Sequence, residues 1–208
     1  MADKIDTNII VVGEENIGKT SFINLVQFID AKWKFYELPP FNKLKNEDIM
    51  NLKDIKFNLI ILIFKIRITY ETKAIFDFIK IAFQENMPII LFMLGTEFQE
   101  DKSLESWSVE NIKTFNKYGM YLNDYTYGTC LISNNLNLDK LLIQKRKDTK
   151  IRTKNCISKN LLIYGKSIYI SNISIINKFL NDYQNDKMKE LEKDKSIASK
   201  LSFFDYFK

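Results

Sequence analysis

Apolar residues follow two rhythms along this chain. Short continuous runs of aliphatic residues alternate with longer stretches in which apolar positions recur every three or four residues. The first rhythm predicts buried strands and the second amphipathic helices. Asn8–Gly13 (NIIVVG) reads as a strand closing on glycine. A helix is predicted over Lys19–Asp30, with Phe22, Ile23, Val26, Phe28 and Ile29 as its apolar positions. Lys32–Leu38 alternates and stops at Pro39–Pro40, which predicts a second strand. Asn46–Asp54 suits a short helix. Lys56–Ile66 (KFNLIILIFKI) is the most apolar stretch and the best central strand. Thr69–Asn86 is strongly amphipathic, with Ala74, Ile75, Phe78, Ile79, Ala82 and Phe83 on one face.

Pro88–Gly95 predicts another buried strand, Gln99–Lys117 a polar start followed by a helix with Trp107 plugging the core, and Gly128–Ser133 (GTCLIS) a short strand. A helix over Asn137–Lys147 follows. Strands alternating with helices predict an α/β fold with a mostly parallel sheet and helices on both faces. The character changes near Lys147. Gln144–Lys159 holds seven Lys or Arg and one acid, and reads as a solvated basic linker. Beyond it lie Asn160–Ile170 and a long helical pattern from Ile173 to about Leu201, ending in the aromatic tail Phe203–Phe207. The expected organisation is a domain over 1–147 and a short, mainly helical extension over 148–208.

Between the first strand and the first helix stands G-E-E-N-I-G-K-T, Gly13 to Thr20. This is the spacing of a phosphate-binding loop, in the strand–loop–helix context that the chemistry requires. Amides of the loop and of the helix N-terminus point at phosphate oxygens, and the helix dipole favours the anion. Gly13, Glu14, Glu15, Asn16, Ile17, Gly18, Lys19, Thr20 and Ser21 are the candidate nucleotide-binding residues. Lys19 would sit between the outer phosphates and the Thr20 hydroxyl would ligate Mg²⁺. The pattern predicts a P-loop NTPase-like domain.

Composition narrows this further. There is no histidine, which removes histidine bases, histidine-dependent nucleophile pairs and histidine metal ligands. Two cysteines, Cys130 and Cys156, make neither a disulfide framework nor a four-cysteine zinc site. The first residues lack a signal-peptide core, and the run Asn58–Phe64 is too short to span a bilayer. An intracellular, cytoplasmic setting is expected. The net charge of +5 fits a lysine-rich surface. The basic stretch and the aromatic tail allow peripheral contact with a membrane surface. Aromatics are not interleaved with the basic residues, so nucleic acid is not expected as a partner.

Beyond the loop itself, GEENIGKTSFINLV resembles the immunity-related GTPases, the interferon-inducible IRG family, whose loop reads G-E-T-G-S-G-K-S followed by S-F-I-N. Phe35–Asn42 (FYELPPFN) is similar to that family's W-D-L-P-G segment, and Phe57–Ile75 to its next strand, turn and helix. Ile89–Phe98 lies where the family carries T-K-x-D, and Cys130–Asn134 (CLISN) is similar to its L-S-N segment. The resemblance spans about Ile9 to Ile143. It implies guanine nucleotide as ligand, Mg²⁺ as its companion, and pairing with itself or with other IRG-type GTPases. It implies a metal role for Glu37 beside Thr20, and a base region at Thr96, Ser133 and Asn134.

Four departures bear on chemistry. Glu37 and Pro40 replace the Asp and Gly of the D-x-P-G segment, and proline has no N–H to offer a terminal phosphate. Gly95, Thr96, Glu97 and Phe98 replace T-K-x-D, so the carboxylate that reads guanine is missing. Only 18 residues (37 − 19) separate Lys19 from Glu37, which leaves no room for a first switch loop. Glu15 takes the third loop position, beside the place of a terminal phosphate. Arg67, after the third strand, is a candidate cis-acting cation for hydrolysis, and a surface position suits it better. The expectation is a nucleotide-binding pseudo-GTPase with little hydrolysis that acts by interaction. The alternatives are a divergent active GTPase completed by a partner or by dimerisation, and a loop kept only as a turn.

Overall fold

The structure is a computed structural model. It describes residues 6–65, 68–83, 87–95, 101–130, 136–164 and 166–205; for 101–104, 107, 108, 111, 136–139 and 190–205 it describes the backbone alone. The elements in chain order are β1 (Thr7–Val12), α1 (Lys19–Val26), β2 (Trp33–Glu37), α2 (Asn46–Leu52), β3 (Lys56–Phe57), β4 (Leu59–Phe64), α3 (Tyr70–Phe83), β5 (Ile89–Leu94), α4 (Asp101–Lys117), β6 (Asp124–Gly128), α5 (Leu136–Tyr164), β7 (Ile168–Tyr169) and α6 (Ile173–Asp205).

Five strands form one parallel sheet in the order β2-β1-β4-β5-β6. The continuous apolar runs occupy its centre because those strands are covered on both faces. Alternate residues of β1, β4 and β5 feed two cores. Ile10, Val12, Ile60, Leu62, Phe64, Leu91 and Met93 join one layer with side chains of α2, α3, α4 and α6. Ile9, Val11, Leu59, Ile61, Ile63, Ile90 and Phe92 join the other, with Phe22, Leu25 and Val26 of α1 and Cys156 and Ile157 of α5. The result is a three-layer, P-loop NTPase-like α/β fold. Strand β2 pairs directly with β1, Thr7 opposite Trp33 through Val11 opposite Glu37, and only residues 27–32 join α1 to β2.

The structure corrects the expected elements in four places. Helix α1 stops at Val26, and Phe28 is 83% exposed. Asp30 closes a turn there: its carboxylate accepts the Lys32 amide at 3.0 Å and its carbonyl the Trp33 amide at 3.1 Å. The expected central strand is split at Asn58, whose side chain accepts the Asn8 amide at 3.0 Å. The piece before it, β3, turns away to pair antiparallel with β7, Phe57 opposite Ile168. Among the described residues the last strand of the sheet is Asp124–Gly128, ending where the expected strand Gly128–Ser133 begins; 131–133 lie outside the described residues. Strand β6 is an edge strand whose Tyr125 and Tyr127 are only half-buried, so it lacks the apolar density that marks the central strands.

The fourth correction is the largest. Gln144–Lys159 is no linker, because α5 runs unbroken through it from Leu136 to Tyr164. Its buried stripe is Leu142, Thr149, Thr153, Cys156, Ile157 and Asn160, at helical spacing but mostly of small or polar residues. The lysines and arginines are the solvent face of the same helix. Thr149 packs so closely on β6 that a Cβ added to Gly128 would lie 2.2 Å from its Oγ1. The final helix also belongs to the core: Ile176, Leu180 and Tyr183 are buried against α2 and α3. Ser171 donates from both its amide (2.8 Å) and its hydroxyl (3.1 Å) to the carbonyl of Ala82, which ties the start of α6 to the end of α3.

Candidate functional site

The loop between β1 and α1 sits at the carboxyl ends of the parallel strands, the edge where such sheets bind ligands. Its sharpest turn is at Gly18, φ +103°, where a side chain would be strained and would meet Leu94 at 2.9 Å. Asn16 also has positive φ, 55°, a conformation that asparagine tolerates better than most residues. Ile17 is buried and anchors the loop to the core under α1.

Lys19 is 4% exposed, and its Nζ donates to the carbonyls of Gly13 at 2.8 Å and Glu14 at 3.0 Å. Burial lowers the pKa of this amine, opposed by Glu37, Glu71 and Glu15. Thr20 donates from Oγ1 to Oε2 of Glu37 at 2.8 Å, so the two expected metal residues come together. A hydroxyl and a carboxylate are hard oxygen donors of the kind Mg²⁺ takes alongside phosphate oxygens and water. Among the described residues no cluster of three acidic, cysteine or histidine side chains would hold a metal unaided. The donor set fits Mg²⁺ carried in with a nucleotide, with Thr20 as ligand and Glu37 beside it.

The two glutamates of the loop are bonded to protein groups. Glu14 accepts hydrogen bonds from the hydroxyls of Thr69 and Thr72, at the start of α3. Glu15 accepts from Asn42 Nδ2 at 2.8 Å and pairs with the Lys43 ammonium. The Lys43 hydrogen bond, helped by Asn42, holds the Glu15 carboxyl below its ordinary range. Glu71, two residues before Lys73 on α3, accepts the Phe41 amide at 3.2 Å, and Lys187 of α6 lies 3.9 Å from it. Burial raises the Glu71 pKa, against the pull of Lys187.

Two cavities flank the loop. One, of about 310 Å³, is lined by Glu14, Glu15, Thr69 and Thr72 together with the ends of β4. The other, of about 440 Å³, opens between the loop and the ends of β5 and β6, lined by Asn16, Ser21, Asn24, Lys65, Leu94 and Arg146 among others. The second lies toward β5, β6 and α5, and the first toward β4 and α3. The family resemblance put the base region at Thr96, Ser133 and Asn134. Those three lie outside the described residues, as do Glu97, Phe98, Arg67 and the side chains of Trp107 and of the tail.

Sequence reasoning missed Lys65 and Arg146. Arg146 lay in a stretch taken for linker, and only the threonine and cysteine stripe of α5 signals that this arginine belongs to a packed helix. Cys130 and Cys156 are buried, and burial pushes both thiols up to about 12, so neither serves as a nucleophile. A third cavity of about 440 Å³ is mainly apolar and lies at the opposite end of the strands, by Ile89, Phe83 and Tyr164, away from this chemistry. No described helix is long and apolar enough to cross a membrane.

No family model matches the chain. No curated protein is similar to it either. Among solved structures, it is similar to translation elongation factor SelB from Methanococcus maripaludis in its apo form, at 13% identity and a TM-score of 0.47, over 68% of this chain. It is similar also to the same factor in complex with the GTP analogue GppNHp, at 12% identity and a TM-score of 0.42, over 67% of this chain. The chain spans about a third of the length of those proteins, 33% in each case. The fold assignment rests on the strand order and the loop, independently of this similarity.

Proposed function

We propose that this protein binds a guanine nucleotide, GTP or GDP, through the loop Gly13–Ser21, with Mg²⁺ held at Thr20 and Glu37, and that it hydrolyses little. It acts as an IRG-like pseudo-GTPase, through interaction with itself or with IRG-type GTPases. The observation that carries the reading is Lys19: a buried ammonium bound, among the described residues, to two loop carbonyls, at a strongly turned glycine, with a hydroxyl–carboxylate pair beside it. A buried cation so placed has few structural uses and one obvious chemical one, exchange of carbonyl partners for phosphate oxygens.

Weak hydrolysis follows from the groups around the loop. Pro40 has no N–H for a terminal phosphate, and its carbonyl instead closes a turn with the Lys43 amide at 2.8 Å. The six residues between α1 and β2 offer no segment to fold over the phosphates. Free, buried Cys130 and Cys156 suit the reducing cytoplasm, and the basic face of α5 suits an acidic partner or membrane surface.

The test is calorimetry with GDP and GTP in the presence of Mg²⁺, paired with a phosphate-release assay. Binding in the micromolar range, weakened about 100-fold by Lys19→Ala, with no Lys19-dependent phosphate release, is the expected result. Turnover that vanishes in Lys19→Ala would make the protein an enzyme, and absence of any nucleotide binding would reduce the loop to a turn.

A further inference from the structure

A terminal phosphate bound at this loop would meet a site that already holds an anion. Glu15 stands at the third loop position and projects its carboxylate to the segment that follows β2, where Asn42 Nδ2 and Lys43 Nζ engage its two oxygens. An amide and an ammonium converging on two oxygens of a negative group is the kind of recognition that a terminal phosphate receives. We infer that the Glu15 carboxylate stands in for a terminal phosphate, so that the site accepts a nucleoside diphosphate and rejects a triphosphate. The inference rests on the nucleotide-binding reading above and names the ligand class within it.

Two further observations point the same way. Pro40 removes the backbone donor that a terminal phosphate would use, so a triphosphate gains no contact there to offset repulsion from Glu15. The segment carrying Asn42 and Lys43 is also held from behind and has no slack to follow an incoming phosphate. Phe41 packs edge-on against Phe78, Phe179 and Tyr183, with ring centroids 5.6, 5.8 and 4.9 Å away. Gln184 Nε2 donates to the Leu44 carbonyl at 3.1 Å. Helix α6 thus fixes the backbone on either side of Asn42 and Lys43, which presents both side chains to Glu15. A diphosphate leaves these contacts intact. A triphosphate places its last charge beside a carboxylate and competes for its partners.

The experiment is calorimetry on the full chain with Mg²⁺, using GDP and GppNHp on the natural protein, Glu15→Gln and Glu15→Ala. The natural protein is expected to bind GDP at least ~10-fold more tightly than GppNHp, the discrimination one added like-charge contact near a protein surface supplies. Both variants should narrow that ratio about 10-fold, by tightening GppNHp more than GDP. Equal affinities in the natural protein, or a ratio that neither substitution moves, overturns this inference and leaves nucleotide binding standing. Failure of all three proteins to bind either ligand overturns the nucleotide reading, and this inference with it.

Discussion

The two flanks of the phosphate loop differ in charge and in what holds them. Toward α3 and α6 stand Glu14, Glu15 and Glu71, each already bonded to threonines, to Asn42 and Lys43, or to the Phe41 amide. Toward α5 stand Ser21, Asn24 and Arg146 around a roomier cavity, with Lys65 bordering the cavities on both sides. In a working hydrolase the first flank senses the last phosphate and the second reads the nucleoside. Here the first flank is tied into the fold by the hydrogen bonds of its carboxylates and by α6, while the second encloses the larger space.

The hardest blow to the acidic flank is Tyr183→Ala. The ring is buried, stacks on Tyr70 at 5.6 Å and abuts Phe41, so its loss should destabilise by about 3 kcal/mol. Thermal unfolding should then shift down by roughly 6–12 °C. An unchanged midpoint would mean that α6 is not what fixes this flank. Next comes Lys19→Ala, between the flanks. Loss of charge-assisted bonds to phosphate should weaken GDP binding by about 100-fold, read by calorimetry.

On the basic flank, Arg146→Ala should weaken GDP by about 10-fold and leave inorganic pyrophosphate unaffected. Equal loss for both ligands would put the arginine at the phosphates instead of the nucleoside. The smallest effect belongs to Glu71→Gln. A carboxyl whose folded pKa exceeds its reference value of 4.5 is protonated more readily in the folded state. The contribution of this one group is then fully present below 4.5 and is lost as pH rises through the interval up to the folded value. Glutamine keeps an acceptor for the Phe41 amide without titrating. The variant should be equal or up to about 1 kcal/mol more stable at pH 7, with a shallower decline in melting temperature above pH 4.5.

How much of this was legible beforehand depends on which physical signal each region carries. Strands β1, β4 and β5 are buried on both faces, so their composition announced them. The apolar face of α3 is likewise dense, and all six residues expected on it are buried. The loop was legible because its chemistry fixes residue types at fixed spacing. Helix α5 was misread after Lys147 because threonine, cysteine and asparagine form its inward stripe, and averages of hydropathy see only the lysines outside. The edge strand β6 was displaced for a related reason: Cys130 to Ile132 are more apolar than Tyr125 to Gly128, yet the latter pair with β5. At the site, Thr20 and Glu37 were expected together and are hydrogen-bonded. The clasp of Glu15 by Asn42 and Lys43 was not foreseeable, because it depends on how α6 returns to cover Phe41.

That return has a cost in time. The end of α3 at Phe83 receives its hydrogen-bonded cover from Ser171 and Asn172, which are made some ninety residues later (171 − 83 = 88). At ~5–20 residues per second, a nascent chain leaves Phe41 and the far turns of α3 without their lasting neighbours for on the order of ten seconds. During that interval the translating ribosome displays an aromatic surface that the finished protein conceals, and this is where a chaperone has the most to shield.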